Sequence, residues 1–340
     1  MIVNWLIELF KIEKEPKRGL MSYEWVVLAY ALLTLLFIFF TYTKLQSPEA
    51  LIVGRLRIVA MTLALWLVYR LVPCKLTILA RMAAQMALLA WWYPDTYELN
   101  RVLPNLDHIF ATWEQTLIGC QPALLFSLHM PQAWFSELMN LGYSSYYPLL
   151  VVVFLYYFAY RYHEFERATF ILLSSFFIYY VLFVLLPVAG PQYYYAAIGV
   201  DKVAAGVFPD VGSYFNQHTE ILTSPGWDGG FFYQLVESAH DAGERPTAAF
   251  PSSHVGVTTV ILLLAWHAHS RRHWLFWLVL FFFVLMFPAT VYTQAHYLID
   301  AIAGLLTGIL FYYLMAWIAK KVTMPIKGPA SHKNKRKSRK

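Results

Sequence analysis

Residues 252–300 read SSHVGVTTVILLLAWHAHSRRHWLFWLVLFFFVLMFPATVYTQAHYLID, and this stretch decides how the chain folds. It contains two apolar runs, 255–268 and 274–292, with a basic turn between them. Each run is long enough to cross most of a bilayer as a helix. One crossing in each direction returns the chain to the face from which it started. The spacing therefore predicts that His254 and His296 lie at the same membrane face.

The composition extends this reading to the whole chain. Of its 340 residues, 59% are hydrophobic and 14% are charged, and the mean hydropathy is +0.50. These values exclude an ordinary soluble domain and indicate an integral membrane protein. Apolar runs of about the length of a spanning helix occur at about 24–42, 52–72, 76–93, 145–160, 168–187, 252–268, 274–292 and 297–319. The sequence predicts an all-α, polytopic membrane helix bundle of about eight transmembrane helices.

The distribution of basic residues orients this bundle. Residues 1–22 form an amphipathic cytoplasmic segment, and the basic tail, 320–340, contains no acidic residue. Basic flanks remain in the cytoplasm, so both termini are predicted to be cytoplasmic. The tail is interpreted as fixing orientation and contacting anionic lipid, and no nucleic acid partner is expected. Between these ends we distinguish residues 23–144, with the first helices and external interfacial helices, and a catalytic transmembrane domain, 145–319.

Two long segments between the predicted spans fall on the outer side. Residues 94–144 mix apolar and polar side chains at loose helical spacing, which is typical of helices that lie along a membrane surface. Residues 188–250 are rich in glycine and proline, which predicts a structured loop. Together they are expected to form a periplasmic or luminal cap of interfacial helices and loop. The protein is placed in the cell inner (plasma) membrane, with this cap outside.

The segment around His254 has the chemistry of an anion site. Pro251 suits a first helical turn, where the backbone N–H groups of Ser253 and His254 have no intrahelical acceptor. Such a helix start attracts phosphate, and the hydroxyl of Ser252 adds a donor. A histidine at this position can donate a proton to a phosphate oxygen or to a leaving alcohol.

The second histidine is followed by a carboxylate four residues later. On a helix, His296 and Asp300 share one face. The carboxylate can accept the Nδ1–H of the imidazole, which leaves Nε2 as a free nucleophile. An acid one turn inside a spanning helix is costly to bury, which favours a functional role.

These motifs resemble those of a known superfamily. Phe250-Pro251-Ser252-Ser253-His254, followed at this distance by His296-x-x-x-Asp300, is similar to the second and third signature motifs of the type-2 phosphatidic acid phosphatase and haloperoxidase superfamily. Phosphatases of this superfamily usually carry Ser-Arg before the third-motif histidine, where this chain has Ala289-Thr290. Thr290 and Tyr292 ahead of the histidine instead resemble the inositol phosphorylceramide synthase branch.

The resemblance implies a role for each motif residue. His296 attacks phosphorus to form a phosphohistidine, Asp300 orients it, and His254 protonates the departing oxygen. Because the usual arginines are missing, other groups must hold the phosphoryl oxygens. The expected phosphate-binding residues are Ser252, Ser253, Arg245, Gln192 and Tyr292, and His218, His240 and Asp241 carry weaker signals. No metal and no cofactor is expected.

Three functions stay open at this point. The first is an integral membrane lipid phosphotransferase that moves a phosphoryl-containing head group between lipids. The second is a lipid phosphate phosphatase, which shares the nucleophile and uses water as the acceptor. A proton-coupled transporter is the third, in which Asp300 and the histidines relay protons. Lipid substrates and the bilayer are the expected partners, and the sequence carries no signal for oligomeric state.

Overall fold

The computed structural model describes residues 7–241, 243–268 and 274–323, and no strand occurs among them. The fold is all-α, as the sequence predicts. After a helical turn at residues 7–10, the helices, which we number in chain order, are α1 Ser22–Thr41, α2 Pro48–Leu71, α3 Lys75–Ala87, α4 Leu89–Asn100, α5 Asp107–Ile118, α6 Pro122–His129, α7 Ala133–Ser144, α8 Tyr146–Tyr160, α9 Phe165–Leu185, α10 Pro191–Ile198, α11 Val200–Ala204, α12 Phe231–Asp241, α13 Ser253–His267, α14 Trp274–Tyr292 and α15 Leu298–Val322. Arg271, Arg272 and most of the basic tail, at 324–340, lie outside the described residues.

Within the described ranges, five segments are long and apolar enough to cross a membrane: Ser22–Lys44, Pro48–Leu71, Tyr162–Leu185, Trp274–Tyr292 and Leu298–Val322. A sixth arises if α7 and α8, which meet at an angle of 47°, form one broken span. Helix α13 is apolar but has only 15 residues, about 23 Å at 1.5 Å per residue. The protein is therefore a multi-pass membrane protein with five or six spans by this measure, where the sequence predicts about eight.

The predicted span at 76–93 is divided between two helices. Helix α3 has 13 residues and α4 has 12, and the break falls at Leu88. Helix α4 holds a proline, Pro94, in its interior, and its second half carries the buried polar side chains of Asp95, Thr96 and Asn100. The apolar run therefore ends before a single helix has reached spanning length.

Helix α9 lies at the centre of the bundle and packs against α1, α4, α13 and α15. Helices α13 and α15 approach each other closely, because glycines stand where their backbones meet. A Cβ atom on Gly304 would meet the carbonyl oxygen of Ser252, and one on Gly308 would meet that of Gly256. This close approach brings the start of α13 against the start of α15.

The two ends of the bundle differ in character. At one end, the N-terminal segment packs on the turns that follow α2 and α8, since Lys17 pairs with Glu166 at 2.7 Å and Glu13 accepts hydrogen bonds from Tyr69 and Tyr162. Helix α13 runs from His254 to this same end. The two histidines singled out above therefore lie at the opposite end from the N-terminal segment.

Two buried ion pairs join the first four helices. Arg55 on α2 makes two hydrogen bonds, of 3.0 and 2.7 Å, to Asp95 on α4. Arg81 on α3 pairs with Glu24 on α1, and both side chains are fully buried. Buried charges persist in apolar surroundings only when they are paired. Arg55 and Arg81 are therefore bound inside the bundle, and neither serves as a topological flank.

Candidate active site

The structure brings the two predicted histidines into contact. His254 Nδ1 lies 3.3 Å from His296 Nε2. His254 is the second residue of α13, and His296 lies in the short loop between α14 and α15. The backbone N–H of Ser252 donates to the carbonyl oxygen of Asp300 at 3.0 Å, which ties the two motif segments together.

The other nitrogen of His296 is held by the backbone. Its Nδ1 lies 2.8 Å from the carbonyl oxygen of Ala249, whereas Asp300 Oδ2 is 3.8 Å away. The carboxylate that the sequence assigns to Nδ1 instead accepts the backbone N–H of Tyr297 at 2.9 Å, at the start of α15. Asp300 thus makes no hydrogen bond to His296, and the carbonyl of Ala249 orients the ring.

This arrangement fixes the tautomers of the pair. Since a carbonyl can only accept, His296 Nδ1 carries the proton, and Nε2 of the neutral ring is the acceptor. His254 Nδ1 then donates to it. Burial lowers the pKa of His296 to about 4, so the imidazole is neutral at physiological pH and its Nε2 keeps a lone pair, which accepts the hydrogen bond from His254. The geometry therefore places a potential nucleophile, His296 Nε2, next to a proton donor, His254.

Aromatic rings enclose His254. The ring of Tyr143 stacks on it with centroids 4.8 Å apart, and the ring of Tyr146 lies 4.4 Å from it. His296 is 3% exposed, and Ser252 and Ser253 are also buried. The hydroxyl of Ser252 accepts the backbone N–H of Val255 and so caps α13. The histidine pair is shielded from bulk water on these sides.

A buried carboxylate on α5 fastens the loops around the site. Asp107 accepts hydrogen bonds from the backbone N–H groups of Ala189 and Gly190, at 2.6 and 2.9 Å, and from the side chain of Asn105 at 2.6 Å. It also accepts the hydroxyl of Tyr297 at 3.0 Å. Tyr297 follows His296 in sequence, so Asp107 connects the end of α9 to the loop of the nucleophile.

A second carboxylate on α5 supports the same loop. Glu114 is fully buried and accepts the backbone N–H of Ile299 at 3.2 Å, at the start of α15. Burial raises the pKa of Glu114 to about 7. The neighbouring negative charge of Asp300 acts in the same direction. Helix α5 thus holds the first turn of α15 at two points.

Next to the histidines lies a polar cluster. The side-chain amide of Gln192 donates to Glu244 Oε2 at 3.0 Å, and the Tyr143 hydroxyl donates to Glu244 Oε1 at 3.4 Å. His240 Nε2 lies 3.4 Å from Glu244 Oε2. The backbone of Gln192 donates to the carbonyl oxygen of Gln294, two residues before His296. A carboxylate with three polar neighbours therefore lines the same face as the nucleophile.

Comparison with protein families identifies the chain. The sequence pattern of the PAP2 superfamily matches residues 108–314, which is more than half of the chain. The protein belongs to the PAP2 superfamily. Comparison with characterised proteins and with solved structures gives no match. Membership makes the protein an enzyme, a phosphatase or a phosphotransferase of this superfamily.

This PAP2 match has a wider extent than the motifs suggested. It begins at residue 108, one residue after Asp107. The matched region thus includes α5, whose carboxylate at Glu114 holds the start of α15. In this PAP2 protein the segment before α8 contributes structurally to the site.

Two of the expected phosphate-binding residues lie elsewhere. Arg245 is exposed, and its guanidinium donates to the backbone oxygen of Glu244 at 3.3 Å. Tyr292 is buried, with its ring against Phe126 and its hydroxyl donating to the carbonyl oxygen of Met130 at 3.1 Å. Among the described residues, no hydrogen bond, ion pair or ring contact joins an arginine or lysine to either histidine of the pair.

Several residues at the site were not predicted from the sequence. Glu244 and Tyr143 carry no motif, and Ala249 contributes only its backbone. Asp107 lies in a segment predicted to form surface helices, and its partners come from chain positions far away. His240, in the external segment 188–250, carries only a weak signal in the sequence. A signal for these residues exists only in the tertiary structure.

Proposed function

We propose that the protein is a lipid phosphotransferase that acts through a phosphohistidine at His296. The observation that carries this proposal is the 3.3 Å contact between His254 Nδ1 and His296 Nε2, with the other nitrogen of His296 bound to a backbone carbonyl. A neutral, oriented imidazole beside a second histidine is the arrangement that nucleophilic catalysis with a general acid requires.

The first step forms the phosphoenzyme. The Nε2 lone pair of His296 attacks phosphorus, and the bond from phosphorus to the leaving oxygen breaks. His254, held as the imidazolium by the negative charge of the bound phosphoryl group, gives its proton to that oxygen and becomes neutral. Asp300 stabilises the positive charge that develops on the ring of His296, because a carboxylate at 3.8 Å attracts an imidazolium more strongly than a neutral ring.

The second step reverses these roles. Neutral His254 takes the proton of an acceptor hydroxyl while that oxygen attacks phosphorus and the N–P bond breaks. The product is a new phosphoester, and His254 is again protonated. The acceptor is a lipid alcohol in a transferase and water in a hydrolase.

We favour transfer to a lipid hydroxyl over hydrolysis. Thr290 and Tyr292 resemble the inositol phosphorylceramide synthase branch, and the missing Ser-Arg pair separates the chain from the usual phosphatase pattern. The near-complete burial of His296 and the tyrosines around His254 also disfavour water as the acceptor. The donor is proposed to be a lipid that carries a phosphoryl head group.

The test uses purified full-length protein in detergent with a donor lipid labelled at phosphorus and a diacylglycerol or ceramide acceptor. We expect a labelled protein band that is labile to acid and stable to base, and a labelled product lipid. His296→Ala removes both, with turnover reduced by at least about a thousandfold. His163→Ala, which removes an exposed imidazole at the opposite end of the bundle, is the matched control and keeps both. Release of labelled phosphate without a lipid product would establish hydrolysis instead, and turnover that survives His296→Ala would exclude both enzymes.

The membrane arrangement forms part of the proposal. We infer about eight crossings, counting the short α13 and the paired α3 and α4, with cytoplasmic termini and the histidines beneath an external cap. The position of Lys17 and Lys75 at the end opposite the histidine pair supports this orientation. Single cysteines at Glu220 and at Glu8, labelled from outside intact cells with an impermeant maleimide, test it. Labelling at position 220 alone is expected, and labelling at position 8 alone would reverse the orientation.

A further inference from the structure

The carboxylate of Glu244 lies among polar side chains from three separate helices. Gln192 belongs to α10, Tyr143 to α7 and His240 to α12, and their polar atoms lie 3.0 to 3.4 Å from the two carboxylate oxygens. Glu244 itself follows α12 in the chain. The side chain of Glu244 is 19% exposed, so its charge is largely removed from water.

A carboxylate in such a place requires donors. Burying an anion is costly unless hydrogen bonds replace those of water, and bonds to a charged acceptor are stronger than neutral ones. The amide of Gln192 and the hydroxyl of Tyr143 supply two donors. His240, whose side chain is 6% exposed, brings its buried Nε2 to 3.4 Å from the carboxylate without making a hydrogen bond, so this nitrogen can still bind an anion. This donor set suits a tetrahedral oxyanion such as phosphate as well as it suits a carboxylate.

Two of the donors contact the segments that carry the catalytic pair, His254 and His296. Tyr143 carries a ring that stacks on His254, so its hydroxyl lies beside that histidine. Gln192 is joined through its backbone to Gln294, two residues from His296. The anion that these donors hold is therefore next to the atoms that would attack and protonate a phosphoryl group.

We propose that Gln192, Tyr143 and His240 form the phosphoryl-oxygen subsite of this enzyme, and that Glu244 fills it in the resting state as an internal substitute for the substrate anion. This inference rests on the phosphotransferase function proposed above and identifies the groups that replace the motif arginines. An incoming phosphoryl group displaces the Glu244 carboxylate, because two anions repel each other and compete for the same donors. Glu244 adjoins exposed residues on the outer loop, which leaves it a path to solvent.

Orthovanadate is the probe, since it mimics a phosphoryl group. Its inhibition constant is measured in lipid turnover by the purified full-length chain, and its binding is measured separately from the thermal shift that it produces. Glu244→Ala and the isosteric Glu244→Gln remove the competing charge, so vanadate is expected to bind about tenfold to a hundredfold more tightly, the equivalent of one charged hydrogen-bonded contact. Glu220→Ala, which removes an exposed carboxylate of the same outer segment, is the matched control and leaves the affinity unchanged.

Variants of the donors are expected to act in the opposite direction. Gln192→Leu and His240→Ala weaken vanadate binding about tenfold, and Tyr143→Phe, which keeps the ring on His254, weakens it severalfold. His240→Gln retains an N–H donor and recovers part of the loss.

Unchanged vanadate affinity in both Glu244 variants would overturn the proposal. A raised KM for the lipid without any effect on vanadate would also overturn it and would assign Glu244 to the head group. The thermal shift needs no turnover, so these outcomes are distinct from failure of the proposed function, which appears as activity that survives His296→Ala.

Discussion

Replacing Asp107 by alanine is expected to destabilise the protein and to disable the site together. Four donors point at this buried carboxylate: the N–H groups of Ala189 and Gly190, the amide of Asn105 and the hydroxyl of Tyr297. A buried donor that loses its acceptor costs about 1 to 3 kcal/mol. Because the variant also no longer buries a charge, the low end of this range applies to each donor. Four donors then lower the free energy of unfolding by about 4 kcal/mol.

Chemical unfolding of the purified chain in detergent, followed by tryptophan fluorescence, measures this free energy. Asp107→Asn keeps one oxygen acceptor and is expected to lose about half as much. At a temperature where each variant is folded, kcat is expected to fall more than the KM for the lipid changes, because the lost bond holds Tyr297, which adjoins the nucleophile His296 in the chain. Asp201→Ala, on the exposed surface of α11, is the control. An Asp107→Ala protein within about 1 kcal/mol of the parent would refute the reasoning.

Two more predictions concern α15. Glu114 has a pKa raised to about 7 by burial, above the ordinary value of 4.5, so its contribution to stability is present below pH 4.5 and is lost as the pH rises through 7. Between pH 4 and 8 the free energy of unfolding of the parent is therefore expected to fall by up to about 3 kcal/mol more than that of Glu114→Gln. Identical pH profiles of unfolding for parent and variant would count against this prediction. Gly304→Ala places a methyl group against the carbonyl of Ser252, which must move α13 away from α15. We expect a thermal unfolding midpoint lowered by several degrees and reduced turnover. The control is Gly119→Ala, at an open surface turn, which changes stability through its backbone conformation alone and leaves turnover intact.

The sequence was sufficient to predict the all-helical class and the meeting of His254 with His296. Both conclusions rest on short-range patterns: apolar runs of spanning length, and motif residues placed at the ends of those runs. The number of spans was harder to predict, because hydropathy does not reveal that the run at 76–93 ends in a helix break at Leu88. The length of an apolar run can be read from the sequence, but whether one unbroken helix covers that run cannot.

The partners of the histidines could not be predicted in the same way. Tyr297 and Asp107 are 190 positions apart, and Gln192 and Glu244 are 52 apart. Such pairs depend on how loops pack over the bundle, which no local pattern encodes. The expected bond from Asp300 to His296 illustrates this limit. The spacing of four residues correctly brings them close, to 3.8 Å, but His296 lies in the loop before α15, and the carboxylate accepts the N–H of Tyr297 instead.

The carbonyl of Ala249 that orients His296 has a consequence for mutational robustness. A backbone carbonyl has no side chain to lose and does not titrate, so the direction of the nucleophile is independent of both point substitution and pH. Damage to this orientation must come from shifts of the main chain around Ala249. Saturation mutagenesis of the site would therefore underestimate how much the orientation of His296 depends on this segment, since the carbonyl oxygen of Ala249 is present in every variant.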